Sequence, residues 1–168
     1  MPTTPEIKKA QLLLHPCKGL PLGKGFGVWG PRWQYHFDDS GKWVKGQVRR
    51  PSGMCGQHGG QDILAPHGTA QVAPGAGIVL EAGWQNPKDH LVGYGLRLIL
   101  QLDGTGGLLL TGGHFSELMV KKGDVVERGQ LIGLSGDTGN AFGPHAHWQL
   151  ELPGPYPRQP IPFEFVGA

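Results

Sequence analysis

From His58 to Glu151 the chain alternates short apolar runs with clusters of glycine, aspartate, asparagine and proline. The runs are four to nine residues long, rich in valine, isoleucine, leucine and threonine, and too short for a family of packed helices. They predict strands over 62–65, 69–73, 76–83, 94–102, 107–115, 131–135 and 145–151. Turn chemistry separates them at Asp103-Gly104-Thr105-Gly106-Gly107, Gly123-Asp124, Gly136-Asp137-Thr138-Gly139-Asn140 and Gly143-Pro144. Short strands at this spacing predict a mostly β domain, an antiparallel sandwich or an open barrel. No internal repeat or low-complexity tract interrupts the pattern.

The ends read differently. Residues 1–16 predict a short helix, with Pro5 near its first turn and Pro16 ending it. Residues 20–36 are glycine-punctuated and aromatic and read as an opening strand and a loop. Residues 37–57 are polar and basic, with a turn at Pro51-Ser52-Gly53. The tail from Pro153 to Pro162 reads as extended surface chain. The expected organisation is an N-terminal extension over 1–19, then one domain over 20–168 carrying a loop insert at about 33–57.

Thirty glycines and fifteen prolines among 168 residues are a high share, yet 38% of the chain is hydrophobic. That combination describes a turn-rich domain with a core rather than a disordered chain. The net charge of +2 conceals an asymmetry: residues 1–50 carry nine Lys/Arg and three acids, and the remainder six and ten. The basic first third either attracts an anionic envelope polymer or is a solvated surface, because its charges are scattered. No basic run is interleaved with aromatics, so nucleic acid is not an expected partner. No apolar stretch reaches membrane-spanning length, and the first residues lack the apolar region of a secretory signal, so membrane insertion is not expected. Cys17 and Cys55 form no C-x-x-C pair; a disulfide between them and two buried free thiols both fit the sequence.

Eight histidines are many for this length, and three of them lie in suggestive patterns. His58-Gly59-Gly60-Gln61-Asp62 pairs an imidazole with a carboxylate four residues on, both good zinc ligands. On a straight strand they would lie roughly 13 Å apart, too far for one ion, but the two glycines permit a bend. The bland alternative is a glycine turn with polar flanks. In His145-Ala146-His147 the two imidazoles share one face of a predicted strand, so that one could bind a metal while the other meets its water. Two surface histidines at a strand start would look the same, and spacing does not choose between them as the ligand. Together the patterns offer a His/Asp/His set with one coordination position open, which is the form of a catalytic rather than a structural zinc site.

These motifs, in this order, resemble the lysostaphin/LytM-type peptidoglycan metalloendopeptidases. His58 and Asp62 match the family's H-x-x-x-D, followed by Ala65-Pro66 and Gly68-Thr69. His114-Phe115-Ser116 matches its central histidine. Val120 to Gly133 follows its V-x-x-G-D-x-V-x-x-G-Q-x-I-G segment, and His145 and His147 match the closing H-x-H after Gly143-Pro144. Gly25-Phe26-Gly27 and Pro31-Arg32 match its opening strand, so that the likeness runs over roughly residues 20–165.

The resemblance implies one Zn²⁺ per chain held by His58, Asp62 and His147, with His114 and His145 as catalytic histidines. It also implies the fold, an antiparallel sheet with long loops around a groove, and a monomeric hydrolase of stem or cross-bridge peptides in peptidoglycan. Without a secretory signal, the expected source is a phage-type lytic or virion-associated enzyme, present in the host cytoplasm before release. Two alternatives compete. A non-catalytic wall-binding or hydrolase-activating member would have lost some of the five residues, and all five are present. A lipoyl-type carrier would need a lysine at a hairpin tip in its own motif, and none is present.

Three features depart from the family's pattern or are left unplaced by it: Gly112 where an aromatic often stands, the 33–57 insert, and Tyr35 and Tyr94, either of which could supply a hydroxyl near the oxyanion and neither of which the sequence places. His15, His36, His67 and His90 are expected at the surface or in loops. Trp29, Trp33, Trp43, Trp84 and Trp148 are expected to pack in or against the core.

Overall fold

The computed structural model of the chain describes residues 2, 11–23, 25, 35–37, 43–45, 58–156 and 158–167. Its strands, in chain order, are β1 (Leu12–Leu14), β2 (Tyr35–Phe37), β3 (Trp43–Lys45), β4 (Gln61–Ile63), β5 (Ala70–Val72), β6 (Gly77–Trp84) and β7 (Leu96–Leu102). They continue as β8 (Leu109–Leu118), β9 (Val125–Val126), β10 (Leu131–Ser135), β11 (Ala146–Glu151), β12 (Pro160–Ile161) and β13 (Glu164–Val166). Among the described residues there is no helix, and hence none long and apolar enough to cross a membrane.

The main sheet runs β12-β11-β8-β7-β6-β9, with β4 added on β11 and β10 joining β8 to β5. Every pairing in it is antiparallel, and the sheet stays open, the mostly β antiparallel architecture expected from the alternating runs. The main predicted strands are found, with their ends displaced: β7 begins at Leu96, and β8 runs on to Leu118.

The core lies on one face of this sheet. Trp148 and Leu150 of β11, Leu110 and Phe115 of β8, and Leu98 and Leu100 of β7 are all fully buried with Ile63 and Ile132. Trp148 meets Phe115 edge to face at 6.0 Å, and its indole N–H donates to Gln71 Oε1 at 3.0 Å. The indole also explains Gly112: a Cβ there would lie 2.8 Å from the Trp148 ring, so Trp148 fills the space an aromatic at 112 would need. The opposite face of β11, set by the two-residue alternation of a strand, carries His147, Gln149 and Glu151. Burial pushes the Glu151 carboxyl above its usual range, and Thr111 and Gln149 donate hydrogen bonds to it.

Three expectations are corrected. The segment ending at Pro16 does not finish as a helix: Leu12–Leu14 form β1, which pairs in parallel with β13, and residues 3–10 lie outside the described residues. An apolar Leu-Leu-Leu run satisfies a strand slot as readily as a helical turn, and only the distant C-terminal partner decides. Residues 37–57 are not all loop, because β3 pairs with β2. His15 is not at the surface: it is 1% exposed, its ring 5.4 Å from that of Phe165, and its Nδ1 accepts the Cys17 N–H at 3.2 Å. Cys17 is a buried free thiol, pushed up to about 12 by burial; Cys55 lies outside the described residues, as does most of the basic first third.

Burial holds His15 below its ordinary imidazole pKa, so the fold keeps it neutral. The unfolded chain takes up a proton there near pH 6.5. Below that pH the unfolded state binds more protons, so His15 contributes full stability above about pH 6.5 and loses it as pH falls. His15→Gln is expected to flatten the drop in urea midpoint between about pH 7.5 and 5.5. An unaltered slope would mean that the fold does not lower the His15 pKa.

Candidate metal centre

Strand register assembles the site. β4 and β11 pair so that Asp62 stands opposite His147, and β11 pairs with β8 so that His147 stands opposite Gly113. Directly opposed residues share a face, and the Asp62 carboxylate and the His147 imidazole meet with Oδ1 2.9 Å from Nδ1. His58 precedes β4, and the chain bends through Gly59 and Gly60 to bring its Nε2 within 3.2 Å of both Asp62 Oδ1 and His147 Nδ1. The expected bend is present, but neither glycine needs a positive φ. They are required by close approach instead. A Cβ on Gly59 would lie 2.4 Å from Gln149 Oε1, and one on Gly60 would lie 2.2 Å from the Trp148 carbonyl and 2.8 Å from the His147 ring.

Gly60→Ala is therefore expected to push β4 off β11 and disturb His147. The cost should be about 1–3 kcal/mol of stability, as for other overpacked sites, accompanied by weaker zinc binding. Urea unfolding and a zinc titration of the same variant check both, and wild-type values in the two would contradict the packing described.

Three donor atoms facing one another at 2.9–3.2 Å suit a small cation. His58 Nδ1 lies 3.0 Å from the Gly25 carbonyl. A carbonyl only accepts, so Nδ1 carries the hydrogen and the bare Nε2 lone pair points at the Asp62 oxygen. Two acceptors at that distance are reconciled by an extra proton or by a shared metal ion. A tetrahedral zinc with bonds of about 2.0–2.2 Å separates its ligand atoms by about 3.3–3.6 Å, so the trio needs only slight expansion to hold one. These three are the His/Cys/Asp/Glu group among the described residues able to do so.

His114 and His145 face the same space. The His114 ring lies 4.6 Å from that of His145 and 6.0 Å from that of His147, and His145 Nε2 lies 3.8 Å from Asp62 Oδ1. The same logic sets their tautomers. His114 Nδ1 donates to the Thr138 carbonyl at 2.7 Å and His145 Nδ1 to the Gly143 carbonyl at 2.9 Å, leaving both Nε2 atoms as acceptors.

A β-bulge aims His114. Leu96 pairs with Phe115 and Leu98 with Gly112, so Gly113 and His114 together oppose Arg97 alone. The extra residue lets Gly112 and Phe115 both face the core while His114 turns to the site. His114 has φ +62°, the one positive φ of a non-glycine among the described residues.

Burial, then the neighbouring His147 and His145, hold His114 at a pKa of about 3, so it is neutral near pH 7. Burial likewise lowers His147, the Asp62 hydrogen bond only partly offsetting it. For Asp62, burial acts upward, but hydrogen bonds and charge from His147 and His58 outweigh it and hold the carboxyl well below its usual range.

The five histidine and aspartate positions singled out in the sequence thus converge. His67 is exposed as expected, and the exposed His90 stacks on Trp84 at 3.5 Å. The side chains of His36, Tyr35 and Trp43, and the whole of Trp29 and Trp33, lie outside the described residues. Tyr94, unplaced by sequence, proves to flank the site: its ring is 5.6 Å from that of His147 and its carbonyl accepts the His114 N–H at 2.7 Å. Burial raises its hydroxyl well above the usual range, so it is a neutral wall of the centre. The sequence offers its hydroxyl as a candidate and does not fix its place.

The sequence profile of Peptidase family M23 matches residues 56–158. The chain is 37% identical over 97 residues to the peptidoglycan DD-endopeptidase ShyA of Vibrio cholerae, covering 58% of this chain and 21% of that protein. It is 38% identical over 95 residues to lysostaphin of Staphylococcus simulans, covering 56% and 18%. The chain thus spans about a fifth of the length of these curated relatives. The catalytic domain of that lysostaphin superposes with a TM-score of 0.60 at 28% identity, covering 84% of this chain and 88% of the domain. The catalytic domain of the prophage-encoded M23 protein EnpA of Enterococcus faecalis, as a point variant, shares the fold, with a TM-score of 0.65 at 24% identity over 95% of this chain and 99% of that domain.

Proposed function

The chain belongs to peptidase family M23, and on that premise we propose that it is a zinc-dependent endopeptidase that hydrolyses peptide bonds in bacterial peptidoglycan. The single observation that carries the reading is the convergence of His58, Asp62 and His147 on one point, with two further imidazoles turned toward it. The name of ShyA, a peptidoglycan DD-endopeptidase, supports the choice of substrate.

His58 Nε2, Asp62 Oδ1 and His147 Nδ1 would hold the zinc. When bound, zinc supplies Lewis acidity toward a peptide carbonyl and lowers the pKa of water. The remaining steps fall to the chain itself. His114, neutral and with Nδ1–H tied to Thr138, presents Nε2 to take the proton of the attacking water. His114 then returns that proton to the leaving amine, while His145, anchored through Nδ1 to Gly143, offers a second Nε2 that accepts a hydrogen bond from the attacking water and orients it. Tyr94 closes one side of the site and excludes water from it. A bound ligand set with one carboxylate keeps the centre net positive, which suits a developing oxyanion. All five residues of the apparatus are present, which favours this reading over a wall-binding member without activity.

The test is mass spectrometry of muropeptides after digestion of purified walls, with His114→Ala as control. New free termini within the stem or the cross-bridge are expected from the wild type alone, and unchanged muropeptides with folded, zinc-loaded protein would refute the activity. The proposal extends to the route to the wall, release at lysis or carriage on a phage particle. An antibody against the chain should find it in clarified lysate or on purified virions, and its absence from both would remove that part.

A further inference from the structure

The bulge that aims His114 leaves a gap in the β7–β8 ladder, and one side chain from a third segment fills it. Thr138 Oγ1 accepts the Leu96 N–H at 3.1 Å and donates to the Phe115 carbonyl at 2.8 Å. Leu96 and Phe115 are the pair immediately beside the bulge, so the hydroxyl bridges the two strands where the regular ladder is interrupted. The carbonyl of the same residue takes the His114 Nδ1–H at 2.7 Å. The backbone around it is held tightly. Gly139 N donates to the His90 carbonyl and Asn140 N to the Gly93 carbonyl, both at 2.8 Å. A Cβ on Gly95 would lie 2.4 Å from Gly139 N and 2.6 Å from Thr138 Oγ1. A backbone at φ +62° is disfavoured for a residue with a side chain, so His114 keeps it only because its surroundings dictate it.

We infer that Thr138 is the positioning residue of His114: its hydroxyl clasps the two sides of the bulge and so fixes the carbonyl that selects the His114 tautomer and ring direction. The role calls for a group that donates and accepts at once in a space closed by Gly95, which a hydroxyl does and a methyl does not. Valine has the same branched shape without either bond. This inference rests on the reading of His114 as proton acceptor for its catalytic consequence, but not for its structural one.

The test compares wild type, Thr138→Val and Thr138→Ser as zinc-loaded full chains. Thr138→Val is expected to lower kcat on a wall peptide by on the order of 10-fold, with KM and zinc stoichiometry unchanged, and Thr138→Ser to restore it. Nitrogen-15 NMR of the His114 ring should show one Nδ1–H tautomer in wild type and Thr138→Ser, and a mixture in Thr138→Val. A merely structural threonine would lower stability without moving the tautomer or separating kcat from KM. The inference is overturned if Thr138→Val keeps both wild-type kcat and the wild-type ring signature, or if Thr138→Ser is as impaired as Thr138→Val. Should the wild type hydrolyse no wall peptide, the functional reading fails, and the ring signature alone then decides for or against the clasp.

Discussion

His114→Ala is expected to lower kcat for wall-peptide hydrolysis by roughly 10²–10⁴-fold, the range for a positioned acid–base group, while one zinc per chain is retained. The separation of the two effects follows from the geometry. His114 lies beside the trio but is not among the three atoms that face one another at 2.9–3.2 Å. Its ring is tied through Nδ1 to Thr138, and burial together with the neighbouring imidazoles keeps it neutral near pH 7. Removing it takes away a proton acceptor and leaves the ligands in place. Alanine at 114 inherits the positive φ, so the comparison includes His114→Gln, which keeps the side-chain volume and polar end. Both variants should show this loss of kcat yet bind zinc as tightly as wild type. Loss of zinc on replacing His114 would move this residue from the proton-transfer role to the ligand set.

Asp62→Ala is expected to do the opposite, weakening zinc binding by more than about 100-fold, beyond what loss of an outer-shell partner costs, and abolishing activity with it. Asp62 is the point on which the cluster turns. It stands opposite His147 across β4 and β11, lies within 3.2 Å of His58 Nε2, and is the one carboxylate among the three candidate ligands. Its carboxyl is held well below the usual range by the two imidazoles despite its burial. Without it His58 and His147 would face each other as two neutral rings with a weak claim on a cation. Competition with a chromogenic chelator gives the affinity, and metal analysis after dialysis gives the stoichiometry. An Asp62→Ala protein that still carries one zinc per chain would show that the carboxylate is not a ligand.

The parts of the fold and site that were legible in the sequence share a physical cause. The short apolar runs that become β6, β7, β8 and β11, and the turn residues between them, are local signals. The spacing of His58 and Asp62 around two glycines is local as well, and so is the shared face of His145 and His147. What was not legible depends on partners far along the chain. β1 is a strand because β13 lies beside it, and nothing within residues 1–16 carries that information. His15 is buried because the C-terminal segment with Phe165 packs on it. Gly112 departs from the family's pattern because the Trp148 ring, from a strand far along the chain, occupies the space beside it. Thr138 and Tyr94 act on His114 through a hydroxyl clasp and a backbone carbonyl, contacts to which side-chain patterns are blind. The family resemblance, not the spacing, names His147 over His145 for the trio, and the β4–β11 register that sets Asp62 opposite His147 gives the physical reason.

The claim on which the rest depends is that one zinc ion sits among His58, Asp62 and His147. A crystal of the zinc-loaded protein, measured on both sides of the zinc absorption edge, tests it most directly. The expected result is a single anomalous peak per chain, about 2.0–2.2 Å from His58 Nε2, Asp62 Oδ1 and His147 Nδ1. A peak bound elsewhere, or none at that position in saturating zinc, would contradict the account.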